Sequence, residues 1–144
     1  MTTLVLDASV IVKWALADPR TEPDTDRALH VLASVQTGGV AIVEPSHWLA
    51  EVAAVLCRLV PRRAREIVRL LEAMDLPVSD RPDTFARACD LSIRLGEPVF
   101  DTLYHAVALT HEDATLVTAD DRYYRRSARL GRISHLADLP RAAS

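Results

Sequence analysis

Apolar and polar positions along this chain fall into two kinds of block. Short apolar runs closed by a polar residue read as buried strands: Thr3–Leu6, Val40–Val43, Leu76–Ser79 and Thr115–Thr118, with Ile133 and Ser134 starting a last short one. Between them, apolar residues recur at helical spacing over Ala8–Ala17, Thr25–Gln36, a segment opened by Pro45 and Ser46, Arg63–Met74, Asp83–Leu95, Phe100–Thr110 and Asp120–Leu130. The boundaries carry their own chemistry. Asp7 or Ser9 stands where a cap is needed, and Gly38-Gly39, Pro61, Gly96 and Gly131 stand where helices must stop. Leu49, Val52, Ala53, Leu56 and Val60 share one helical face. Ile67, Leu70, Leu71 and Met74 share another and are expected to pack as core. Strands alternating with helices predict an α/β domain with a short central parallel sheet flanked by helices. In such sheets ligands gather outside the carboxyl ends of the strands, where Asp7 and Asp120 are expected to lie.

The length, 144 residues, is that of a single domain spanning residues 1–144, large enough to fold without a disulfide or structural metal. With 49% hydrophobic and 26% charged residues, the composition excludes disorder and collagen-like repeats. No run approaches the ~18 uncharged apolar residues of a membrane span. No basic segment leads into an apolar one at the N-terminus, so no signal peptide is expected and the cytoplasm is the expected compartment. Cys57 and Cys89 lack zinc-site spacing and are expected to be small buried side chains in a reducing environment.

A net charge of −3 argues against a globally basic nucleic-acid binder, but the distribution is uneven. Every basic residue except Lys13 is Arg. Arg58, Arg62, Arg63, Arg65 and Arg69 form one cluster; Arg122, Arg125, Arg126, Arg129 and Arg132 form a second. Solvated helix faces explain such clusters, and so does phosphate contact, which suits the planar Arg fork.

Single acids interrupt apolar runs at four places. Asp7 is the only acid from Met1 to Leu16. Glu51 is the only charge between Trp48 and Cys57. Asp101 is the only formal charge from Pro98 to Thr110, and Asp120 follows the run TLVT and one alanine. Each alone could be a helix cap or an ion-pair partner. Four ionised carboxylates converging on one sheet edge would repel and require cations. All-oxygen ligation suits Mg²⁺ or Mn²⁺ rather than zinc, and such sites hydrolyse phosphodiesters.

These residues resemble a known family. The opening LVLDASVIVKW, the Glu in an apolar helix, the FDTLYHAVA segment and the late TLVTADDRYY are similar to PIN-domain ribonucleases, and among them to the VapC-type toxins of toxin–antitoxin pairs. The resemblance runs from Leu4 to about Ala137. It implies metal-binding, catalytic roles for Asp7, Glu51, Asp101 and Asp120, with Ser9 and Thr118 ordering the site. It further implies an Mg²⁺-dependent endoribonuclease (Mn²⁺ being an alternative ion), a homodimer, and inhibition by a cognate antitoxin. Beside that, Arg122, Arg125 and Arg126 are expected to contact RNA phosphates, because their helix begins at the site. Asp121 adds an acid beside Asp120, which keeps the T-x-D spacing.

Other readings fit less well. A receiver domain needs a late Lys, and a haloacid-dehalogenase-type phosphatase needs a second acid after Asp7. His47 with Glu51, and Asp101 with His105, are spaced for a His–carboxylate transition-metal site. His30, His111 and His135 read as surface residues. The non-enzyme alternative is a module of the same fold that binds RNA or protein without cutting.

Overall fold

The computed structural model describes residues 2–141. The chain runs β1 (Thr2–Leu6), α1 (Ala8–Leu16), α2 (Thr25–Gln36), β2 (Val40–Ile42), α3 (Trp48–Leu59), α4 (Ala64–Ala73), α5 (Thr84–Leu95), α6 (Val99–Thr110), β3 (Ala114–Thr118), α7 (Asp121–Ser127) and β4 (Ile133–His135), with 3-10 turns over Ala128–Leu130 and Leu136–Asp138. The strands form one parallel sheet in the order β2-β1-β3-β4. Leu4 lies opposite both Ile42 and Thr115, and Val117 lies opposite Leu6 and Ser134. This is the α/β sheet expected from the sequence.

The strand order decides where a ligand can sit. The connection from β1 leads to β2 on one side, and the long connection from β2 leads to β3 on the other. The chain therefore diverges from β1 in opposite directions, and a crevice opens between the carboxyl ends of β1 and β3. The backbone N–H of Asp7 donates to Val117 O at 3.0 Å, which fixes Asp7 against β3 at the mouth of that crevice.

Below it, Val5, Leu6, Val10, Ile11, Val52, Leu56, Tyr104, Val107 and Val117 are fully buried in one core. A smaller cluster of Ala88, Leu91, Leu103 and Ala106 joins α5 to α6. Gly96 ends α5 in the left-handed conformation at φ +65°, where a side chain would be strained.

Several expectations need correction. Leu76–Ser79 is not a full strand. It makes one parallel bridge, Val78 to Glu44, because Pro77 has no N–H to donate and only its carbonyl and Ser79 N–H bond Glu44. The helix expected over Asp120–Leu130 gives way to a 3-10 turn after Ser127, whose hydroxyl bonds back to Tyr123 O. Cys57 and Cys89 are exposed, not buried: Val52 and Leu56 carry the inner face of α3, Ala88 and Leu91 that of α5. Ile67 and Leu71 are core, as expected, but Leu70 in the same stripe is 65% exposed. Among the described residues no helix is long and apolar enough to cross a membrane.

Candidate active site

Each of the four singled-out acids stands at the start of a helix. Asp7 is the N-cap of α1, Glu51 lies in the first turn of α3, Asp101 in the first turn of α6, and Asp120 is the N-cap of α7. A helix N-terminus carries partial positive charge and unpaired N–H groups, which offset the cost of gathering carboxylates. The capping role and the shared placement are therefore compatible. Asp7 Oδ2 accepts from Ser9 N–H at 3.0 Å, and Asp120 Oδ1 accepts from Tyr123 N–H at 3.0 Å, so each cap uses one carboxylate oxygen.

The acids feel one another. Burial raises the Asp7 carboxyl to about 6; hydrogen bonds from Ser9 oppose this, and the charges of Glu51 and Asp120 add to it. Burial raises Asp101 to about 7, reinforced by Asp7, Glu51, Asp120 and Glu97. Asp101 is thus the acid on which the other three act together.

Hydroxyls order the loop between β3 and α7. Ala119 N–H donates to Ser9 Oγ at 3.0 Å, and Asp120 N–H donates to Thr118 Oγ1 at 3.0 Å. Glu51 is held from two sides: His47 Nε2 lies 3.1 Å from Oε2 and Tyr104 OH lies 3.5 Å from Oε1. His47 Nε2 also lies 2.8 Å from Phe100 O, tying the start of α3 to that of α6. Burial opposes protonation of His47, yet Glu51 and the Phe100 carbonyl raise its pKa overall. His105 does not pair with Asp101. It is buried, with Nδ1 3.0 Å from Tyr123 OH and Nε2 2.9 Å from Gly131 O, which removes the second half of the His–carboxylate metal reading.

The Arg residues of α7 are placed unevenly. Arg122 and Arg126 lie 3.3 and 3.4 Å from Glu97 Oε1, and Arg126 also donates to Leu95 O. Arg125 is exposed and makes no ion pair among the described residues. Asp121 points to His135, whose Nε2 is 2.7 Å from Oδ1. His30, His111 and His135 are half-buried rather than fully exposed, and His111 lies 2.8 Å from Ser79 Oγ.

Two acids escaped the sequence reading. Glu44, at the carboxyl end of β2, is fully buried. Its Oε1 accepts from Leu6 N–H at 2.6 Å, and Oε2 has no hydrogen-bond partner among the described residues. Burial pushes its carboxyl well above the ordinary range, with the Asp7 charge adding to the shift. Its signal was present, because Glu44 follows the run VAIV as Asp7 follows LVL. Glu97, buried between α5 and α6 and paired with the two Arg, had no periodic signal.

Among the described residues no three His, Cys, Asp or Glu side chains enclose a metal position as they stand. The donor set nevertheless fits a hard divalent ion. Its oxygens are carboxylate, its members repel one another, and Mg²⁺ commonly takes only one or two carboxylates while keeping waters.

The fold and this edge of helix N-termini define an α/β domain with its candidate site at the topological switch point. The PIN domain family matches residues 4–129, and the chain belongs to that family. The crystal structure of FitAcB from Neisseria gonorrhoeae is similar in fold, with a TM-score of 0.61 at 18% identity over 94% of this chain and 99% of that one. Comparison with curated proteins finds no match. PIN domains are in general nucleases and generally use divalent metals.

Proposed function

We propose that the chain is a divalent-metal-dependent endoribonuclease of the VapC type, the toxin of a type II toxin–antitoxin pair acting in the cytoplasm. The observation that carries this reading is how the acids are tied together at the crevice: the Ser9–Ala119 bond joins the neighbours of Asp7 and Asp120, Asp7 and Glu51 line one cavity, and His47 ties the start of α3, with Glu51, to that of α6, with Asp101. Asp7, Glu51, Asp101 and Asp120 would hold Mg²⁺, or Mn²⁺ in its place, which when bound would supply a nucleophilic water at neutral pH and neutralise charge on the phosphodiester. The chain's own groups do the rest. Ser9 and Thr118 hold the loop that carries Asp120. His47 and Tyr104 restrain Glu51. The starts of α1, α3, α6 and α7 present N–H groups to an anionic substrate. Arg122, Arg125 and Arg126 bind flanking RNA phosphates, Arg122 and Arg126 by leaving Glu97.

Surface chemistry supports protein partners. Phe85 and Ile93 on α5 and Phe100 on α6 are 59%, 84% and 62% exposed, apolar area that a second copy would cover in a homodimer. A groove of about 190 Å³ runs past Trp14, Leu70 and Met74 beside Arg63, and suits an amphipathic acidic segment of an antitoxin.

The test is cleavage of total cellular RNA by the purified protein, freed of antitoxin, beside Asp101→Asn, with Mg²⁺ and with EDTA. Discrete fragments that require both the ion and Asp101 are expected. Intact RNA in every lane, with binding retained, would replace this reading by a non-catalytic module.

A further inference from the structure

A second binding position lies along the groove that leads away from the acids. A cavity of about 350 Å³ has Asp7 and Glu51 at one end and Lys13, Glu22 and Arg58 at the other. Lys13 is the chain's only Lys and is 6% exposed. Lys is almost never buried this far unless paired. Its only ion-pair partner among the described residues is Glu22, with Nζ 3.5 Å from Oε1, well beyond the ~2.7–2.9 Å of a strong charge-assisted bond. Arg58 on α3 is exposed and makes no ion pair among the described residues. The cavity therefore joins three carboxylates, one of them Glu22, to two cations, and the Lys13 cation is desolvated and loosely compensated.

Spacing sets what the cations can meet. Lys13 follows Asp7 by six positions on α1, about 9 Å along the helix axis. Lys13 therefore lies further along the groove than the carboxylates, on the side where the next phosphate of the same strand can enter. Resting on the nuclease reading, we infer that Lys13, aided by Arg58, binds the RNA backbone phosphate next to the one cleaved, and that Glu22 is a placeholder the phosphate displaces. Lys13 is a binding residue with no part in the bond-breaking step. A bound phosphate replaces a long, single contact by shorter charge-assisted ones, and displaced Glu22, on the rim, returns to water.

The alternative role is structural, with the Lys13–Glu22 pair tying α1 to the loop after it. Binding in the Asp101→Asn background separates the two without cleavage. The probe is a short fluorescent single-stranded RNA of mixed sequence, followed by anisotropy over a salt series. Lys13→Gln is expected to weaken binding roughly tenfold and to flatten the salt slope by about 0.7. Arg58→Gln is expected to act in the same direction, and Lys13→Arg to restore the slope. Glu22→Gln is expected to tighten binding, since it removes the competitor. A structural pair predicts instead that Glu22→Gln and Lys13→Gln lower the melting temperature alike and leave the salt slope unchanged; that result overturns the inference, as does an RNA affinity insensitive to Lys13. RNA bound through Lys13 but left uncut by the wild type would sink the nuclease reading alone.

Discussion

Ser9 and Ala119 lie 110 positions apart in the chain and are joined by one hydrogen bond of 3.0 Å, from the Ala119 N–H to the Ser9 hydroxyl. This bond closes the crevice between α1 and the β3–α7 loop, next to both Asp7 and Asp120. Ser9→Ala leaves the Ala119 N–H without its acceptor in a partly buried place. A loss of about 1–2 kcal/mol in unfolding free energy is expected. Urea denaturation checks it, and an unchanged midpoint would show the bond to be incidental.

Asp101 carries the summed repulsion of the other acids. In the metal-free protein at pH 8, Asp101→Asn is therefore expected to raise the melting temperature or leave it unchanged, while abolishing RNA cleavage. Thermal unfolding in EDTA measures this. A clear drop would mean that Asp101 serves as half of a stabilising ion pair.

The pH dependence of metal-free stability has a definite sign. Asp7 and Asp101 hold protons more tightly folded, to about 6 and about 7, than their ordinary 3.8. Between those limits the native state binds more protons, so stability falls as pH rises through this window and levels off above it. Glu44 and His47, also raised, act in the same direction, whereas the lowered His105 and His111 oppose it. Comparison with the Asp7→Asn/Asp101→Asn double variant cancels the shared groups. The wild type is expected to lose more stability than the variant from pH 5 to pH 7.5, and equal losses would contradict the shifts.

Addition of Mn²⁺ or Mg²⁺ at pH 7.5 is expected to reverse that loss. At 100 times the dissociation constant a bound ion adds about 2.7 kcal/mol to the folded state. The shift in melting temperature should vanish in Asp101→Asn. An equal shift in both proteins would place the ion elsewhere.

Much of this arrangement is legible in the sequence, for physical reasons that differ by residue. Asp7 and Asp120 are conspicuous because an acid directly after, or one residue beyond, a buried strand has few places to go. Glu51 and Asp101 stand out because a lone charge in an apolar helix is costly. The helix-start position of Asp101 was legible, second in the expected Phe100–Thr110 helix, but that of Glu51 was not, since the helix expected to open at Pro45 and Ser46 begins only at Trp48. Glu44 carried the same signal as Asp7 and was hidden by Pro45, which makes the pair read as a turn. The Glu97 pairing with Arg122 and Arg126 depends on how α5, α6 and α7 pack, which no local pattern encodes. Hydrophobic type misled at Cys57, Cys89 and Leu70, where the helix phase, not the residue, decides exposure.

The pairing of β1 with β3 also sets a schedule for synthesis. One wall of the crevice leaves the ribosome 110 positions ahead of the other, since Asp7 must wait for Val117 and Ser9 for Ala119. A growing chain that ends before β3 has neither Asp120 nor the strand that fixes Asp7. Long-range pairing of this kind is also slow to form. The complete constellation therefore exists only after β3 and Asp120 have been made, and no product truncated before them carries it.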